Sequence, residues 1–87
     1  MEIVTTLHEY IAQNLLFSED GFHYDDDVSF LGEGIIDSIG VMEMVTFISQ
    51  EFGISVLDRE IIPKNFDSVN KLTQYICSKL PKTTDWV

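Results

Sequence analysis

The residues able to do chemistry in this chain are few: seven serines, one cysteine, two histidines and an unusual number of carboxylates. A catalytic serine of the Gly-x-Ser-x-Gly type is excluded at Ser38, because Ile36 stands where the first glycine belongs. The run Asp25-Asp26-Asp27 invites a calcium reading. A calcium loop needs acids at alternating positions, a glycine at the sixth and a glutamate at the twelfth; counted from Asp25, the fifth position is Ser29 and the sixth Phe30, so a solvated acidic loop is expected. His8 and His23 read as surface residues. Cys77 reads as a small apolar residue near the core face of the last helix. One hydroxyl stands apart by position. Ser38 follows a glycine-containing loop and opens the most strongly patterned helix, where a phosphate ester would meet free N–H groups and the positive end of the helix dipole. Ser68 is an internal control, since it too follows an Asp and opens a helix. Local physics alone separates the two only weakly.

The elements that position these residues follow from apolar spacing. Ile3, Val4, Leu7, Ile11 and Leu15 recur at helical intervals and predict a first helix over about residues 3–16. Residues 17–37 form a long connection whose Val28, Phe30, Leu31, Ile35 and Ile36 are expected to pack over the core. A second helix is predicted from Ser38 to Phe52, with Asp37 as its N-cap and Gly53 just past its end. A short third helix at about 58–62 is expected to be stopped by Pro63, and Asp67 to cap a last helix carrying Val69, Leu72, Ile76 and Leu80. The predicted fold is all-α, a small antiparallel four-helix bundle of three long helices and one short third helix. Residues 1–80 form its single domain and residues 81–87 a short tail.

On a helical wheel the second helix puts Val41, Val45, Ile48 and Phe52 on its core face, with Met44 also assigned to the core. Ile39 falls opposite, beside Glu43, Thr46 and Gln50, and Met42 lies on the flank. Exposed single apolar residues are ordinary. The alternative is a docking surface made of Ile39, Met42, Glu43 and Thr46, with apolar anchors rimmed by carboxylate.

Totals exclude several function classes. Eighty-seven residues build one small core and leave no room for an enclosed catalytic pocket. Fifteen acids against five bases give a net charge of -10, which repels nucleic acid and anionic lipid and favours basic protein partners. A monomer is expected. With one cysteine there is no internal disulfide. No apolar run reaches the length of a membrane span and no signal peptide is evident, so a cytoplasmic location is expected.

The segment Gly34-Ile35-Ile36-Asp37-Ser38-Ile39-Gly40 resembles the attachment motif of acyl and peptidyl carrier proteins. Helix two continues similarly through Val41-Met42-Glu43-Met44-Val45 to Glu51-Phe52-Gly53-Ile54. Phe30-Leu31 and Phe66-Asp67-Ser68-Val69 also match that family's layout. The resemblance implies a non-catalytic carrier. Its cofactor would be 4′-phosphopantetheine, transferred from coenzyme A to Ser38 by a phosphopantetheinyl transferase and carrying intermediates as thioesters. Asp37 would sit beside the attachment, and Ile39, Met42, Glu43 and Thr46 would meet partner enzymes. Those partners would include an adenylating ligase or acyltransferase and a downstream synthase or transferase. The form Gly-x-x-Asp-Ser-x-Gly is closest to standalone D-alanyl-type carriers loaded by adenylating ligases, although Phe66 replaces their usual tryptophan. Fatty-acid and polyketide carriers, with more acids along helix two, are the alternative. An unmodified helical interaction module is the reading from another class.

Overall fold

The computed structural model of the chain describes residues 3–80. The tail expected at 81–87 lies outside the described residues. Four helices and no strands are present among them. Helix α1 (Ile3–Tyr10) runs on into a wider π-type turn, Ile11–Leu15, so the first helical stretch has the length its periodicity predicts. Helix α2 is Ser38–Phe52, α3 is the short Pro63–Phe66, and α4 is Val69–Lys79. A single 3-10 turn, Asp58–Glu60, precedes α3.

The core is one cluster. Leu7 and Ile11 enter it from the first helix, Met44, Ile48 and Phe52 from α2, and Leu72, Tyr75 and Ile76 from α4. The long connection adds Phe30, fully buried, and Ile36, so it packs over the bundle as its apolar content requires. Asp67 holds that packing. Its carboxylate accepts from the Ser29 hydroxyl and from Leu31 N (3.0 Å), while its carbonyl accepts from Phe30 N (2.8 Å). The acidic run is braced on the other side. Asp26 Oδ1 lies 2.6 Å from His8 Nε2, and Asp27 Oδ1 accepts from Asn70 Nδ2 at 2.6 Å.

Several expectations are corrected. The core face of α2 is Gly40, Met44, Ile48 and Phe52, while Val41 and Val45 lie half-buried on its flank. The cause is tertiary: Ile36 folds beneath the first turn, and a Cβ at Gly40 would come within 2.6 Å of its Cγ2. The buried face is thus turned toward Gly40 and Met44 relative to the wheel drawn from the helix's own residues. Pro63 begins α3 instead of ending the element before it, because a residue at the first helical position needs no N–H acceptor. Ser68 is the N-cap of α4, accepting from Lys71 N at 3.1 Å, since the Asp67 carboxylate is engaged by the long connection. Cys77 is exposed, because the buried face of α4 runs through Leu72, Tyr75 and Ile76. His8 is half-buried, stacked on Phe22 with ring centroids 4.8 Å apart.

One carboxylate gives a pH dependence. Glu60 accepts from Leu57 N (3.1 Å), Tyr75 Oη (2.8 Å) and Lys79 Nζ (3.0 Å). These bonds, the Leu57 amide foremost, hold it down at about 2 from its ordinary 4.5. A carboxyl depressed by folding adds stability above its unfolded pKa and loses it as pH falls toward the folded one. Glu60→Gln should therefore melt below the native chain at pH 6, and the gap should close between pH 4.5 and 2. Paired melting curves across that range check this. A gap that stays constant across that range would show that the ionised form of Glu60 is not the source of the difference.

Candidate functional site

Ser38 is the first residue of α2 and is exposed. Asp37 precedes it in extended backbone (φ −92°, ψ −177°), and its Oδ1 accepts from Gly40 N at 2.8 Å. The carboxylate therefore occupies the third N–H of the turn. The N–H groups of Ser38 and Ile39 have no intrahelical acceptor, and the positive end of the helix dipole faces the same spot. A phosphate ester on the Ser38 hydroxyl would meet donors and a favourable field there. Ser68, its sequence twin, is 2% exposed and its oxygen is committed to Lys71 N. Exposure thus separates two serines whose local sequence is alike.

Two grooves flank Ser38. The first, about 250 Å³, is apolar: Leu31, Val41, Met42, Ile61, Ile62 and Phe66 line most of it. The second, about 360 Å³, lies on the other side, between Phe17 at the end of the first helical stretch and Ile39 on α2, with Asp37 and Glu43 at its edge. Ile39 is 70% exposed and Met42 52%, so both point out of the core as the wheel predicts. They open on different grooves, Met42 on the first and Ile39 with Glu43 on the second. Thr46 lies a turn further along the helix, exposed, its hydroxyl donating to Met42 O at 3.4 Å. Beside it, Tyr10 stacks on Phe47 at 3.9 Å and donates to Glu43 O at 3.3 Å. Burial, then the nearby Glu43 carboxylate, pushes the Tyr10 hydroxyl up.

The first groove's far wall, Ile61, Ile62, Pro63 and Phe66, escapes sequence reasoning. The one signal for it is the adjacent pair Ile61-Ile62 outside any periodic helix. Phe17 escapes as well. Among the described residues no group of His, Cys, Asp and Glu is arranged to hold a metal ion, the acidic run included.

The charge around the site is one-sided. Every Lys and Arg lies at Arg59 or later, while residues 1–58 hold twelve of the acids. The side chains lining the two grooves beside Ser38 are mostly apolar, and Asp37, Glu43 and Asp67 are the charged groups among them.

The chain is similar to known proteins over most of the helices described above. The family described as "Phosphopantetheine attachment site" matches residues 5–76, from α1 to the last turns of α4. The D-alanyl carrier protein of Bacillus velezensis is 35% identical over 60 residues, spanning 64% of this chain and 77% of that protein.

Proposed function

Because the chain belongs to the phosphopantetheine attachment site family, and is therefore a non-catalytic carrier with covalent 4′-phosphopantetheine as its cofactor, we propose that Ser38 is the residue modified and that an adenylating ligase loads the arm. The observation that carries the assignment of Ser38 is its exposure at the start of α2, beside first-turn N–H groups that Asp37 leaves free. These residues fit the group. When bound, the arm supplies a terminal thiol on which an acyl group travels as a thioester.

The chain's own part is limited and physical. Ser38 Oγ would form the phosphoester bond as the pyrophosphate bond of coenzyme A breaks, with adenosine 3′,5′-bisphosphate as the leaving group and the hydroxyl proton passing to a base on the transferase. Asp37 holds the first turn in place through Gly40 N, and the Ser38 and Ile39 amides would be the donors available to the phosphate. Ile39, Met42, Glu43 and Thr46 present the docking face, apolar anchors with one carboxylate among them.

Loading by an adenylating ligase is supported by the Gly34-to-Gly40 segment and by the similarity to a D-alanyl carrier protein. Gly40 is central to it. Fatty-acid carriers place an acid at this position, but the Gly40 site abuts Ile36 and has no space for a side chain. An aminoacyl group such as D-alanyl is the cargo this favours. A fatty or polyketide acyl group is the second reading, favoured by the apolar groove at Leu31, Met42 and Ile62. No helix among the described residues is long and apolar enough to cross a membrane. A cytoplasmic monomer is part of the proposal, suited to an exposed Cys77 and a net charge of -10.

The test is to offer the modified protein, with ATP, to adenylating ligases of the D-alanine-activating kind, and separately with malonyl-coenzyme A to a malonyl transferase. The expected result is aminoacyl transfer at least about tenfold faster than malonyl transfer, a difference in transition-state binding on the order of 1.4 kcal/mol. Efficient malonyl loading without ligase activity assigns the chain to the acyl type.

A further inference from the structure

Phe17 is the one non-glycine residue with positive φ (+53°) among the described residues. It sits where the first helical stretch ends, after Leu16 N bonds Ile11 O at 2.9 Å and before Ser18 N bonds Ala12 O at 2.8 Å. Glycine or asparagine is the usual residue at such a helix end, because a Cβ strains left-handed backbone. The side chain here is nonetheless a large aromatic, and it is 80% exposed, more than any other large apolar residue described. It stacks on none of the other rings. Backbone strain and an aromatic in water are both unfavourable, and four-fifths of the Phe17 side chain remains exposed in the fold.

Ile39, 70% exposed and adjacent to Ser38, lines the second groove together with Phe17. Two exposed apolar side chains thus share a space of about 360 Å³ that Asp37 and Glu43 also line. No Lys, Arg or His is among the residues that line this space. A second copy of this chain would bring the same carboxylates against these and is disfavoured by like charge. Nucleic acid and anionic lipid are disfavoured for the same reason.

We propose that Phe17 is a recognition residue, the second anchor of a clamp with Ile39. The clamp holds an aliphatic side chain, flanked by Lys or Arg, of the enzyme that attaches the arm. The choice of that enzyme follows from distance. Attachment happens at Ser38 Oγ itself, so the transferase must cover the rim of Ser38, whereas an enzyme acting at the end of the arm need not. This rests on the assignment of Ser38 above.

The experiment measures kcat/KM for transfer from coenzyme A by a broad-specificity phosphopantetheinyl transferase, with melting curves alongside. For Phe17→Gly, kcat/KM is expected to fall about five- to tenfold, the effect of losing one interface anchor. The melting temperature should hold or rise, because glycine relieves the positive φ. Phe17→Leu should keep most of the native rate. In an Ile39→Ala background the Phe17→Gly effect should shrink, since the two residues hold one side chain. An unchanged kcat/KM in Phe17→Gly overturns the clamp. So does a loss of rate that comes with a lowered melting temperature in both Phe17 variants, which would make Phe17 a prop of the fold. Self-association of the native chain through this face also overturns it. Native protein that takes up no arm, or takes it up at another residue, removes the Ser38 assignment instead, so the two failures are distinguishable.

Discussion

Ser38→Ala should accept no phosphopantetheine at all, while the native chain accepts one. Intact mass after incubation with coenzyme A and a phosphopantetheinyl transferase reads both. The effect is all or none because the hydroxyl oxygen becomes part of the new bond. Folding should be untouched: Ser38 is exposed, and the capping bond of the turn comes from Asp37 to Gly40 N. A surface change of this kind stays within about 0.5 kcal/mol. Ser68→Ala gives the opposite pattern. It should take up the arm normally and lose about 1 kcal/mol, the usual cost of an N-cap oxygen, because Ser68 caps α4 through Lys71 N. Modification that survives in Ser38→Ala, or disappears in a folded Ser68→Ala, would overturn the assignment and would return the question of function to an unmodified interaction module.

Met44→Ala is expected to be among the most damaging single changes to the fold, at about 2–4 kcal/mol or on the order of 10–25 °C in melting temperature. Met44 is fully buried at the centre of α2, within the cluster of Leu7, Phe30, Ile48 and Ile76. Truncation leaves a cavity that a small, close-packed core cannot easily refill. In a domain of this size that is a large share of the total stability. Val45→Ala, one residue on, removes half-buried methyls and should cost about 1 kcal/mol or less. Thermal or urea unfolding of the two variants ranks them. If Val45→Ala proves the worse of the two, α2 is rotated back toward the orientation its own periodicity suggests, and Gly40 is then not the point of closest approach.

Much of the molecule follows from sequence-local rules. The extents of the first helical stretch and of α2 follow from apolar spacing with Asp37 and Gly53 at the ends of α2, because a cap and a left-handed terminus act within one turn. The outward direction of Ile39 and Met42 follows from the same periodicity. The Gly34-to-Gly40 segment is legible as a string, and so is the charge asymmetry that puts every Lys and Arg at Arg59 or later. What the sequence by itself could not determine depends on contacts between residues far apart in the chain. Val41 and Met44 both satisfy a helical stripe, and Ile36 folding under Gly40 decides which of them faces inward. Asp67 and Ser68 are both good caps, and the demand of Ser29 and Leu31 on the Asp67 carboxylate decides which one caps. Ser38 and Ser68 each follow an aspartate at a helix start, and only packing exposes the one and buries the other. The grooves beside Ser38 were equally invisible, since Phe17 and Ile39, like Met42 and Ile62, come to line one groove only across more than 19 residues of chain. Propensity and capping are short-range free energies that a string of residues states directly. Which apolar face wins, and which hydroxyl is left in water, is settled by burial summed over the whole bundle, and that sum exists only once the chain has closed on itself.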